Sequence, residues 1–242
     1  MSKYWNKFPQ YNQMSVEELR RKATNSAAGA KKKGMKYEPI FTSGRQICKS
    51  WWGQAWCENL DSYADYGSRL DRGKRYVRSG AVVDLQIKGG RIEARVQGSR
   101  KIPYKVEIRI SPLSEERCTP IIEACSKKVE NMEALISGTF PDELKELFLG
   151  QNGLFPTPRE ISFQCSCPDW AIMCKHVASA MYGIGVRVDE NPFWFFQLRG
   201  IDVDRFIDVS LSNKVESMLE NAEKPSKRML NEDEAHRLFG VI

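Results

Sequence analysis

The sequence predicts an α+β fold: a small antiparallel sheet with flanking helices and an embedded strand–knuckle–helix metal segment. Three observations carry this prediction. Two stretches of alternating apolar residues, Val83-Leu85-Ile87 and Ile92-Ala94-Val96, are separated by Gly89-Gly90, the pattern of a two-residue hairpin. On either side of them apolar residues recur at three- and four-residue steps, the spacing of amphipathic helices. Finally, Cys165, Cys167, Cys174 and His176 crowd into one short segment.

The first predicted element is a helix over 15–28. Ser15 can cap it, and Glu18 completes a capping-box pattern; Lys31-Lys32-Lys33-Gly34 ends it. The stretch 45–66 is aromatic and reads as helical, with Trp51, Trp52, Trp56, Leu60 and Tyr63 on one stripe. Large aromatics usually fill cores, although tryptophans can also stack on single-stranded bases. Pairing across Gly89-Gly90 sets Asp84 opposite Arg95 and Gln86 opposite Glu93, as polar pairs on a solvent face. A third strand follows at Tyr104–Ile110.

Residues 115–137 read as a helix, with Ile121, Ile122, Cys125, Val129, Met132 and Leu135 apolar and Gly138 as its stop. A shorter helix over 141–149 opens on Pro141, and 153–158 is a loop. The metal segment covers 160–188. Aromatic residues Phe193 to Phe196 and Phe206 mark 192–207, and a charged tail ends in a short helix at 231–239. The chain thus divides into a basic segment (1–40), an α+β domain (41–150), the metal finger with its aromatic extension (151–207) and the tail (208–242).

Composition bounds the function classes. With 41% hydrophobic and 28% charged residues among 242, the chain is an ordinary soluble protein. No apolar run reaches the roughly 18 residues that span a bilayer, so no membrane is expected. The opening Met1-Ser2-Lys3-Tyr4-Trp5 lacks an apolar export core, which points to a cytoplasmic protein. Seven cysteines, four of them scattered (Cys48, Cys57, Cys118, Cys125), do not make a disulfide framework. Residues 1–110 carry 23 Lys/Arg against 10 Asp/Glu, whereas 111–242 carry 14 against 21. A basic half beside an acidic half suggests an anionic partner on one side.

The metal segment has the ligand pattern C-x-C-x6-C-x-H. Residues two apart on a strand share a face, so Cys165 and Cys167 can converge at the end of a strand begun by Ile161-Ser-Phe163. Cys174 and His176 cannot converge from within a regular helix, where they would lie about 200° apart. The helix must therefore begin near Cys174. Tetrahedral sulfur/nitrogen sites favour zinc, and four protein ligands leave no open position, so one structural Zn2+ is expected. Trp170 is expected to shield it.

This pattern, with Cys-Ser-Cys-Pro-Asp-Trp and Cys-Lys-His-Val around it, resembles the SWIM-type zinc finger. Trp51-Trp52-Gly53-x-x-Trp56, Arg69-Leu70-x-Arg72-Gly73, Val96-Gln97-Gly98-Ser99-Arg100, Pro103-Tyr104 and Phe193 to Gly200 extend the likeness. Over roughly 40–205 the chain resembles the bacterial SWIM proteins encoded beside Swi/Snf-family ATPases. The resemblance implies DNA-related work with such an ATPase as partner.

Arg69, Arg72, Lys74, Arg75 and Arg78 precede the sheet, and Arg100 and Lys101 follow Gly98-Ser99. Basic groups on loops suit phosphate contacts without sequence preference. They can equally solvate loops or pair with Asp65 and Asp71. Lys175, between two ligands, points away from the ion and can reach a phosphate. Catalysis is not expected. The Asp84/Glu93/Arg95 set is explained by strand alternation, no phosphate loop is present, and His236 stands alone. The sequence therefore reads as a non-catalytic accessory subunit that binds DNA and a helicase-like ATPase. The alternative is a protein-interaction adaptor without nucleic-acid contact.

Overall fold

The computed structural model describes residues 14–42, 44–62, 67–126, 144–150, 153–169 and 171–202, with isolated positions of the C-terminal segment. Helix α1 (Val16–Lys32) starts at the expected cap, where the Glu18 N–H donates to Ser15 Oγ at 3.1 Å. It continues beyond residue 28 because its alanines and lysines all favour helix, and Lys31 and Lys32 suit its C-terminal dipole. Helix α2 (Trp51–Asp61) is shorter than the expected 45–66. Ser50 fixes its start by accepting from the Gly53 N–H at 3.1 Å, and Tyr63 lies outside the described residues.

Helix α3 (Gly67–Arg78) replaces an expected loop. Its buried stripe is Leu70, Gly73, Tyr76 and Val77, a helical spacing hidden in the sequence by two glycines and many charges. Gly73 is the contact point. A Cβ there would lie 2.7 Å from the Ala178 Cβ and 2.9 Å from its carbonyl carbon, so the two helix backbones cross at glycine clearance.

Strands β1 (Val82–Lys88), β2 (Arg91–Val96), β3 (Tyr104–Ile110) and β4 (Ile161–Cys165) form one antiparallel sheet in the order β1-β2-β3-β4. Gly89 and Gly90 take φ of 46° and 68° at the hairpin, which only glycine and a few polar residues accept readily. Asp84 pairs with Arg95 and Gln86 with Glu93, as expected. The Asp84 side, however, is not a solvent face. Asp84 is only 6% exposed and accepts from the Glu38 N–H at 2.9 Å, because the 35–42 segment runs beside β1.

Helix α4 (Glu115–Ser126) matches the first half of the helix expected over 115–137; the second half, with Val129, Met132, Leu135 and Gly138, lies outside the described residues. So does Pro141, ahead of α5 (Lys145–Leu149). Helix α6 (Lys175–Glu190) crosses the apolar face of the sheet and is buried along most of its length. Helix α7 (Phe193–Leu198) follows it. The tail, with its expected helix at 231–239, is outside the described segments.

The tryptophans belong to the core. Trp52 donates Nε1–H to the Val188 carbonyl and Trp56 to the Met181 carbonyl, each at 2.8 Å. Trp56 is 2% exposed and packs edge-on against Phe195, so neither Trp52 nor Trp56 presents a face for a base. A largely buried ion pair ties the end of β3 to the start of β4. Arg199, 1% exposed, reaches Glu160 Oε1 at 2.6 Å and the Ser111 carbonyl at 2.7 Å. Burial would raise the Glu160 carboxyl, but hydrogen bonds from Arg199 and Thr157 outweigh it and hold the group down at about 2.

Candidate metal centre

The metal segment is part of the sheet. β4 pairs with β3 so that Cys165 lies opposite Val106. The pairing continues past the first cysteine: the Ser166 N–H donates to the Lys105 carbonyl and the Lys105 N–H to Ser166 Oγ, both at 2.9 Å. Cys165 and Cys167 are therefore presented from the end of a paired strand, not from a free loop. The chain then turns at Asp169, whose carboxylate accepts from the Ala171 N–H at 3.2 Å and meets Arg69 of α3 at 3.4 Å. Those two partners bring the Asp169 carboxyl below its ordinary value despite burial, which acts to raise it.

Cys174 is the N-cap of α6, with extended backbone (φ −78°, ψ 169°), and His176 sits in the first turn. The helix begins where the ligand spacing requires. The donor atoms of Cys165, Cys167, Cys174 and His176 all lie within 4.8 Å of one another. His176 Nδ1 is 4.0 Å from Cys165 Sγ and 3.8 Å from Cys174 Sγ. These four residues form a Cys3His group that can hold a metal ion.

The donor chemistry fits an ion. Hydrogen bonding from Cys165 pulls the Cys174 thiol down to about 4 against the cost of burial, and His176 adds to that pull. The reciprocal interaction with Cys174, together with burial, pushes Cys165 up, and burial pushes Cys167 up. Three thiols are thus gathered where one ionises readily and the others do not, an arrangement that a divalent cation relieves. His176 turns Nδ1 to the thiols, and its Nε2 is buried without a hydrogen-bond partner among the described residues.

Two rings enclose His176. Tyr104 of β3 stacks on it at 4.2 Å between centroids, and Tyr76 of α3 meets it edge-on at 5.6 Å. The backbone of Gly98 closes the remaining side: a Cβ there would fall 2.6 Å from the Tyr104 ring and 3.0 Å from His176 Nε2. Sequence reasoning treated Tyr104 as a strand residue and Tyr76 not at all. The fold brings both to the histidine from over seventy and one hundred residues away in sequence, a distance no local pattern spans. Trp170, the expected shield, lies outside the described residues.

The basic residues separate into groups. Lys175 lies over the Tyr76 ring at 5.8 Å and Arg100 over the Tyr104 ring at 5.2 Å. Arg72 and Arg75 are near enough to Tyr76 to oppose the rise that burial causes in its hydroxyl. Lys101 is exposed on the same turn as Arg100. That turn is fixed by Gln97 Nε2–H donating to the Arg100 carbonyl at 2.6 Å and by Lys22 reaching the Ser99 carbonyl at 3.0 Å. Arg69 and Lys74 are engaged instead: Arg69 with Asp169, and Lys74 with Asp61 at 2.7 Å. Among the described residues their partners are thus Asp169 and Asp61 and not Asp71, whereas Asp65, also weighed from sequence, is outside the described residues. Arg78 faces away, into a groove beside α1.

Comparison with known proteins adds one relative. "Uncharacterized protein Rv2102" of Mycobacterium tuberculosis (strain H37Rv) is 36% identical over 156 residues, 64% of this chain and 56% of that protein. The chain therefore spans little more than half the length of the curated relative it matches. No family model matches the chain, and no solved structure matches it. Among the described residues, no helix is long and apolar enough to cross a membrane.

Proposed function

We propose that this protein is a zinc-stabilised, non-catalytic subunit that binds nucleic acid, with a SWIM-type finger, in partnership with a helicase-like ATPase. The observation that supports it is the meeting of basic residues from three parts of the chain over the metal centre. Arg100 and Lys175 cover the rings that enclose His176, and Arg72 and Arg75 stand beside Tyr76. Such a surface suits phosphates without reading bases.

Zinc is the ion of choice for this donor set. A tetrahedral Zn2+ with sulfur bonds of about 2.3 Å and a nitrogen bond of about 2.0–2.1 Å needs its donors roughly 3.5–3.8 Å apart. The 3.8 and 4.0 Å separations at His176 require only a slight contraction. Four protein ligands give the ion a structural role.

The test is a salt-titrated binding assay with single- and double-stranded DNA, comparing the wild type with an Arg72→Ala/Arg100→Ala/Lys101→Ala variant. Each phosphate contact removed lowers the slope of log affinity on log salt by about 0.7–0.9. The expected loss is therefore about 2.1–2.7 for three contacts, equal across sequences. Zinc content, by elemental analysis, stays at about one ion per chain in both proteins. An unchanged slope would reject the nucleic-acid reading and favour the adaptor.

A further inference from the structure

A second surface lies apart from the metal centre. Between α1 and the extended segment 35–42 runs a groove of about 850 Å³, within the range of ligand-binding clefts. Its α1 wall is made of small residues, Ala23, Thr24, Ala27 and Ala28. Its floor includes Val83, the residue at which the β1–β2 register shifts. The opposite wall carries Tyr37 and Phe41, and Phe41 is 72% exposed.

Two features say what fits there. The first is charge. Arg20, Lys31, Lys36 and Arg78 line the groove and, among the described residues, no Asp or Glu does. None of the four makes an ion pair among the described residues. The second is an open strand edge. Residues 38 and 40 hydrogen-bond to β1, through Leu85 N–H to the Glu38 carbonyl at 2.9 Å and Ile40 N–H to the Val82 carbonyl at 3.0 Å. Alternation then turns the backbone of 37, 39 and 41 away from the sheet. Among the described residues the N–H groups of Tyr37 and Phe41, and the carbonyls of Tyr37, Pro39 and Phe41, have no backbone partner. Pro39 sits where no donor is needed by β1, as prolines at sheet edges do. At the groove wall Thr42 Oγ1 is also buried without a partner among the described residues.

We propose that this groove docks an extended segment of a partner protein, one that alternates acidic with apolar residues and adds as a strand along 37–41. Main-chain bonds to Tyr37, Pro39 and Phe41 hold it, its apolar side chains lie against the small-residue wall of α1, and its carboxylates meet the basic rim. This is recognition by strand addition, and it is independent of the nucleic-acid reading at the metal centre. A helix would leave the open edge unpaired, and a nucleic-acid strand would put phosphates against a mostly apolar wall.

The test uses the full metal-loaded chain and three synthetic peptides of about eight residues, a long strand's length. One alternates Glu or Asp with Val or Ile, the second has Lys at every acidic position, and the third is the acidic peptide with prolines that forbid a strand. The acidic peptide is expected to bind at least about tenfold more tightly than the other two and to slow amide exchange at Tyr37 and Phe41. Ala28→Trp fills the groove from an exposed position and is expected to weaken that binding at least about tenfold, with circular dichroism and metal content unchanged. Arg20→Glu/Lys36→Glu should reverse the preference between the acidic and Lys peptides. Equal binding of all three peptides, no binding at millimolar peptide, or binding indifferent to Ala28→Trp would each overturn the proposal. A single-stranded oligonucleotide that displaces the peptide and is itself excluded by Ala28→Trp would assign the groove to nucleic acid instead.

Discussion

The two ends of α6 are held by different physics. At its C-terminal end the helix is fixed by packing and hydrogen bonds within the chain: Trp52 caps the Val188 carbonyl, and Asp189 accepts from the Ser50 N–H at 2.7 Å. At its N-terminal end, Cys174 and His176 meet Cys165 and Cys167 with all four donor atoms within 4.8 Å of one another, beside the Tyr76 and Tyr104 rings. The first end is self-sufficient. The second has the short segment and gathered thiols of a site that a bound ion would order. One helix thus belongs both to the general core and to the metal centre, and the core supplies the rigid platform from which the ligands project.

The largest way to separate the ends is to remove a ligand. Cys174→Ser or His176→Ala should lose the metal, worth about 10 kcal/mol or more in apparent binding energy at neutral pH. Hydrogen exchange should then accelerate over 161–177, while the fluorescence of Trp52 and Trp56 changes little. If both regions melt together, the ends are not energetically distinct.

A smaller effect comes from the other end. Trp56→Ala removes a 2% exposed ring and its bond to Met181, and should cost about 3–5 kcal/mol in urea unfolding. Metal stoichiometry in the still-folded protein should be unchanged. Loss of metal at denaturant concentrations where the variant is folded would show that the platform and the site are one unit.

The smallest effect asks whether β4 is held by the metal alone. Glu160, at the head of β4, keeps its charge down to about pH 2 in the folded protein through Arg199 and Thr157. A carboxyl held below its ordinary value stabilises the fold above that ordinary value, near pH 4.5, and the contribution fades as pH falls toward 2. Glu160→Gln removes it. The stability gap between wild type and variant should therefore shrink by about 1–2 kcal/mol between pH 6 and pH 3. Both proteins shed metal over this range, so the difference isolates the carboxyl. A gap that does not change with pH would mean that the Arg199 pairing adds nothing to the anchoring of β4.

What the sequence made legible follows the reach of its rules. The Ser15 cap, the hairpin glycines with their register, and the ligand set with the helix starting at Cys174 all depend on neighbours within a few residues. Helix α3 escaped because its stripe is apolar only in company with α6, where Gly73 meets Ala178. The burial of Asp84 escaped because the segment that covers it is 46 residues away along the chain. The Glu160–Arg199 pair, 39 residues apart, and the rings around His176 were hidden for the same reason. Cys48 and Cys57, scattered in the sequence, come within 3.6 Å in the core.

Finally, the ligand strand β4 is the outermost strand of the sheet. While it is in place, the backbone edge of β3 is paired over 106–110. A chain in which β4 loosened would leave the N–H and C=O groups of that edge unpaired, a template that a second such chain can join. On the proposed metal reading, loss of the ion then carries a hazard of clumping as well as a loss of binding.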